Sequence, residues 1–170
     1  MIRQATNHDL PDISEIYNDA ILNTTAIYAY EPKTEVEMKQ WFLDKQKARC
    51  PLFVYEEDHK VIAFATFGPF RTHPAYHYTI EHSIYVHPSH RKKGIASTLL
   101  DILIKEAKEQ NYETMIGVID SANQSSIALH QRFGFHFCGQ LKKVGFKFNR
   151  WLDVDFYQLI LSDFTTSSNS

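Results

Sequence analysis

The stretch that most restricts the fold runs from Ile80 to Leu100, IEHSIYVHPSHRKKGIASTLL. A β-branched strand leads into a short basic loop, and Gly94 then opens an amphipathic helix. Ile95, Leu99, Leu100, Leu103, Ile104 and Ala107 recur at helical spacing and share one side of it. Arg91-Lys92-Lys93-Gly94-Ile95-Ala96 therefore sits at a helix N-terminus, where unpaired backbone N–H groups and the positive dipole end favour an anion. Glycine lets the main chain approach a phosphate with no side chain between them. The loop is neither a P-loop nor a GxGxxG fingerprint. The same pattern also suits a basic turn that merely starts a surface helix.

Elements of both periods surround this unit. Ile2 to Gln4 forms a short strand, and Thr6 with Asp9 resembles a helix cap. Leu10, Ile13, Ile16, Tyr17, Ala20 and Ile21 make an apolar helical stripe. Thr34 with Glu37 is a capping box opening a helix that carries Val36, Trp41 and Phe42 and ends before Pro51. Residues 52–56 and 61–67 read as strands around Asp58-His59-Lys60. After a loop containing Gly68, Pro69 and Pro74, a strand over 79–86 stops at Pro88. A strand at 115–119, a helix at 125–133 and strands at 135–144 and 151–161 complete the order β-α-α-β-β-β-α-β-α-β-β. Such alternation predicts an α/β fold, a mixed sheet with helices on both faces. Residues 1–162 form one domain, and 163–170 are expected to be a disordered polar tail, Thr165 to Ser170 above all.

Composition removes several function classes. The chain has 170 residues, 44% hydrophobic and 22% charged, which suits one globular domain. A net charge of −2 and a pI near 6.5 lack the basic excess of a nucleic-acid protein. No stretch has the length of a membrane span and no signal peptide opens the chain. Cys50 and Cys138 lack metal-ligand spacing, so a reduced, cytoplasmic protein is expected. Nine histidines show no HExxH-like spacing, so no metal is expected.

Arg-x-x-Gly-x-Ala after a strand resembles the pyrophosphate loop of the GNAT superfamily of N-acetyltransferases. Asn123 and Leu129-His130-Gln131-Arg132-Phe133-Gly134-Phe135 fall where that superfamily has its second coenzyme A segment. Within it, the chain is similar to the phosphinothricin and methionine sulfoximine N-acetyltransferases. The resemblance rests on Ile16-Tyr17-Asn18, Glu31-Pro32, Gly68-Pro69-Phe70-Arg71, Ala75-Tyr76, Glu81-His82-Ser83-Ile84-Tyr85-Val86 and Lys147-Phe148-Asn149-Arg150-Trp151-Leu152-Asp153. It implies the GNAT fold, with a mostly antiparallel sheet whose strands splay at the coenzyme A site. It also implies acetyl-CoA as co-substrate, a small amino-acid-like amine as acceptor, and a homodimer.

The resemblance further implies direct transfer in a ternary complex, and no cysteine here has a His–acid arrangement beside it to suggest otherwise. An amine attacks only when neutral, so a base must take an ammonium proton. Glu81 matches the family's glutamate base; inside an apolar strand it also suits the buried partner of a cation such as Arg71. Alternation puts Glu81, Ser83 and Tyr85 on one side and His82, Ile84 and Val86 on the other. Main-chain N–H groups of Ile84, Tyr85 and Val86 are the implied oxyanion donors. His130 stands where many relatives have tyrosine, and suits either a general acid or a contact to the cofactor's sulfur end.

Arg91, Lys92, Lys93, Gly94, Ile95, Ala96, Ser97, Asn123, Ser126 and His130 are the implied coenzyme A contacts; Asn123 equally suits a helix N-cap. Tyr28, Arg71, His73, Ala75, Tyr76 and His77 match substrate-facing segments, or simply pack. Relatives often have arginine where this chain has His73, which cannot form a bidentate fork to a doubly anionic substrate. Phe146 to Leu152 suit a site wall or a dimer interface. The same resemblance leaves room for a polyamine, an antibiotic or a protein N-terminus as acceptor, or for a coenzyme A-binding sensor.

Overall fold

Two hairpins, two turns of αL residues and one crossover helix set most of the topology. The computed structural model describes residues 1–91 and 93–164; Lys92 and Thr165–Ser170 of the expected tail lie outside the described residues. The strands are β1 (Ile2–Gln4), β2 (Leu52–Glu57), β3 (Lys60–Pro69), β4 (Thr79–Val86), β5 (Thr114–Asp120), β6 (His136–Lys147) and β7 (Arg150–Ile160). The helices are α1 (Leu10–Asn23), α2 (Glu35–Lys47), α3 (Ile95–Glu109) and α4 (Gln124–Arg132). One seven-stranded sheet runs β1-β2-β3-β4-β5-β7-β6, with only β4 and β5 parallel among these neighbours. The fold is α/β with a mixed, mostly antiparallel sheet, in the expected element order.

The helices cover opposite faces. All six stripe residues of α3 are buried, against Phe53, Ala63, Ala65, Phe67, Ile80 and Met115. Each Ile and Leu side chain of the stripe contributes about 1.5–3 kcal/mol on burial. On the other face, Ile13 and Ile16 of α1 and Met38 and Phe42 of α2 cover Val54, Val61 and Phe64. Val36 stays exposed because only a narrow stripe of α2 docks. Asp9 accepts from the Thr6 amide at 2.8 Å and is gripped by Arg3, so the expected cap forms as a 3₁₀ turn ahead of α1. The Thr34–Glu37 capping box forms with bonds of 3.1 and 3.2 Å.

Two strands outrun the sequence reading. β3 continues through Gly68 and Pro69, which pair with Glu81 and Ile80. Proline is tolerated there because β2 has already ended, so no ladder donor is missed. β6 reaches Lys147 because Phe148 and Asn149 both adopt positive φ, 53° and 58°, and close a two-residue turn. Lys147 then turns inward and donates to Thr24 O and Ile27 O, each at 2.7 Å. Among the described residues no helix is long and apolar enough to cross a membrane, and no group of three His, Cys, Asp or Glu is placed to hold a metal.

Candidate active site

β4 is held on both sides only at its start. Toward β5 the ladder stops at Glu81 and Ile116, while toward β3 it continues to Val86. A wedge therefore opens between the second half of β4 and residues after Ile116. The β3–β4 register is unbroken, and at its two ends Phe70 N donates to Thr79 O and His87 N to Ile62 O. Antiparallel ladders alternate between bonded and non-bonded pairs. Thr79, Glu81, Ser83, Tyr85 and His87 therefore direct their backbone groups to β3, and Ile84 and Val86 direct theirs into the wedge. This corrects one expectation: the Tyr85 amide is committed to β3 and is no free donor. Its ring packs, partly buried, against Tyr17 and Phe64 instead.

Beyond the wedge, Pro88–His90 makes a short 3₁₀ turn and Gly94 adopts φ +75° immediately before α3. The first backbone bond of α3 is Thr98 N to Gly94 O, at 3.2 Å. The amides of Ile95, Ala96 and Ser97 have no protein acceptor among the described residues, so this end can hold an anion. A Cβ on Gly94 would meet open space, so glycine here serves the backbone conformation and leaves the approach clear. Arg91 leans back to Asp19 of α1 at 3.7 Å, and Lys93 is exposed.

Glu81 is half-buried on the α1–α2 side of the sheet. Burial raises its pKa, opposed by the nearby Arg71 and Lys45 charges. It forms no ion pair within 4 Å among the described residues, so the reading of a buried Glu81–Arg71 pair is not realised. Lys45, from the end of α2, is itself lowered by burial and donates to Phe67 O at 3.1 Å. Its Nζ lies where Gly68 has no side chain, which is why it reaches this far.

On the opposite face His82 and His130 meet. Their Nε2 atoms are 2.8 Å apart, His82 Nδ1 is 3.1 Å from Ile116 O, and His130 Nδ1 is 2.7 Å from Ser126 O. Both rings are buried against Phe135, and a Cβ on Gly117 would press on both. Burial and the neighbouring ring push His82 down to about 3, and burial lowers His130 too. Asn123 caps α4 by accepting from Ser126 N at 3.2 Å, and Ser126 Oγ lies 3.4 Å from His130 Nδ1.

The expected substrate residues divide. Arg71 stacks on Phe70 at 4.4 Å, and Tyr76 meets that ring edge to face, on an exposed loop near Glu81. Tyr28 feels the charges of Asp120, at the end of β5, and Asp153 of β7, and lies on Gly145, which has no Cβ to displace it. His77 turns instead to Tyr78 and Tyr112, the latter packed on Phe67 of the α3 face, away from Glu81. His73 and Ala75 are exposed in the same loop. The sequence reading does not single out Lys45, His82, Gly117 or Asp120. Only His82 carried a signal: a polar ring on the apolar side of an alternating strand. Asp120 Oδ2 is buried without a donor among the described residues.

The model of the acetyltransferase (GNAT) family matches residues 11–135. The crystal structure of an N-acetyltransferase from Staphylococcus aureus Mu50 is 56% identical, with a TM-score of 0.94 over 95% of this chain and 98% of that one. The L-methionine sulfoximine/L-methionine sulfone acetyltransferase of Salmonella typhimurium is 41% identical over 162 residues, covering 95% of each chain. A phosphinothricin acetyltransferase from Sinorhizobium meliloti, solved in complex with acetyl-CoA, is 38% identical with a TM-score of 0.92, over 99% of this chain and 94% of that one.

Proposed function

The chain belongs to the acetyltransferase (GNAT) family and is an acetyltransferase, and we propose that it transfers acetyl from acetyl-CoA to the amine of a small amino-acid-like substrate of the methionine sulfoximine and phosphinothricin type. The observation that carries this is the wedge. The amides of Ile84 and Val86, without a partner among the described residues, line it, and the strand that lines it also carries a half-buried carboxylate. The free amides of Ile95, Ala96 and Ser97, with Arg91 and Lys93, suit a diphosphate, and Asn123 and Ser126 suit the pantetheine arm. The expected Lys92 contribution lies outside the described residues.

Within this reading Glu81 takes a proton from the substrate ammonium, directly or through a water. Burial raises its affinity for that proton above an ordinary carboxylate's, and the Arg71 and Lys45 charges oppose that rise. The neutral amine adds to the thioester carbonyl, and Ile84 and Val86 N–H groups meet the oxyanion. One such donor is worth about 3–4 kcal/mol in comparable sites. Collapse breaks the C–S bond, and the leaving sulfur takes a proton from His130. Arg71 with Tyr76 supplies the cationic and hydroxyl contacts for an acidic head group, and Tyr28 closes the opposite end. His77 has no part in this reading, because it faces Tyr112.

The reading also places the enzyme in the cytoplasm as a homodimer, supported by the exposed aromatics Phe146, Phe148 and Trp151 of the β6–β7 hairpin. Free-thiol release from acetyl-CoA, with and without methionine sulfoximine, tests the substrate class. Release with that amine is expected. Release only with a polyamine, an antibiotic or a peptide N-terminus moves the enzyme to another acceptor, and none with any amine removes the catalytic reading.

A further inference from the structure

The contacts of His82 and His130 form a line: Ile116 O, His82, His130, Ser126 O, with separations of 3.1, 2.8 and 2.7 Å. Both ends are carbonyl oxygens, which only accept, so each of the three contacts needs one proton. Two neutral imidazoles bring two. If both Nδ1 atoms donate outward, two Nε2 lone pairs face each other; if either turns its proton inward, a carbonyl faces a bare nitrogen. The neutral pair is one proton short, and the singly charged pair completes the line. Two charges are excluded, because repulsion between touching cations adds to the penalty of burial.

No other charge competes. Of the titratable residues of β4 only His82 lies on this face, Glu81 being on the other; around the pair β5 contributes Ile116 and Gly117, α4 contributes Ser126 and His130, and the segment after α4 contributes Phe135. No carboxylate or cation among the described residues acts on His82 besides His130.

We propose that His82 and His130 work as one unit, holding two protons at rest and a third, between the two Nε2 atoms, during acetyl transfer. His82 is then a positioning residue acting through His130. This rests on the acetyl-transfer reading above. As the C–N bond forms, the attacking nitrogen becomes positive and sheds a proton, which fills the Nε2–Nε2 contact. As the C–S bond breaks, the electron pair leaves with sulfur, which takes that proton. The pair returns to two. His130 alone could not do this while both of its ring nitrogens stay engaged, so the contact that opens is the one His82 shares.

The test is a pH titration of the free protein followed by ¹⁵N signals of the histidine rings, with no substrate present. As pH falls, His82 and His130 should respond in one common step that takes up a single proton. His82→Gln keeps a partner for His130 Nε2 but takes no proton. In it His130 should titrate alone, kcat should fall roughly tenfold with its pH limb displaced, and KM for acetyl-CoA should stay within about threefold. Wild-type rings that respond separately overturn the proposal, as does an unchanged kcat–pH profile in His82→Gln. If that variant does not fold, the wild-type titration decides alone. A common step with no acetyl transfer to any amine would sink the substrate reading and leave the pair standing.

Discussion

Glu81 and His82 are neighbours on one strand, yet they face opposite sides of the sheet and meet opposite surroundings. Burial drives both toward neutrality, raising the carboxyl and lowering the imidazole. On the Glu81 side two cations, Arg71 and Lys45, oppose that drive, and the carboxylate stays half-buried. On the His82 side the only ionisable group acting on the ring among the described residues is a second imidazole, and both rings are buried against Phe135. One strand thus places a half-buried carboxylate on one face and a buried histidine pair on the other. The wedge, where β5 falls away, lies between them.

The comparison breaks most sharply at the carboxylate. Glu81→Gln should lower kcat by about 100-fold or more while acetyl-CoA binding stays near wild type, by steady-state rates and calorimetry. Unchanged turnover would take Glu81 out of the chemistry. The anion end of the wedge comes next. Gly94→Glu sets a negative side chain among the amides of Ile95, Ala96 and Ser97, and the Kd of coenzyme A should rise about tenfold or more.

A third probe concerns the sealed face and stability. His82 is buried with its pKa lowered from 6.5 to about 3, so the unfolded chain binds the extra proton between those values. Its contribution is fully present above pH 6.5 and is lost as pH falls toward 3. Urea midpoints should drop through this window in wild type, and less steeply in His82→Gln. The smallest effect should come from Lys45→Met. Removing a cation that lowers the Glu81 pKa moves the acid limb of kcat/KM to higher pH. A limb that stayed in place would show that Lys45 does not reach the carboxylate's field.

How far the sequence went can be read from particular residues. The α3 stripe, the two capping sites and the order of eleven elements follow from local spacing, because period 3.6 or 2 fixes which side of an element is apolar. The Gly94 turn and the face of Glu81 were legible for the same reason. Tyr85 shows the limit. Its place beside Ile84 and Val86 was clear, but the phase of the β3–β4 bonds, which ties up its amide, belongs to a partner strand. His77 shows it again, since its loop position alone did not say that it would turn to Tyr112.

The sequence by itself therefore determined the elements, their apolar faces and a helix start shaped for an anion. Those properties are written within a few consecutive residues. Only the tertiary structure decided where β4 parts from β5, that Lys45 reaches Phe67 O, and that His82 touches His130 from 48 positions away. Contacts across such separations depend on strand register and helix docking. The free energy that sets those comes from the whole buried interface rather than from the residues that happen to meet.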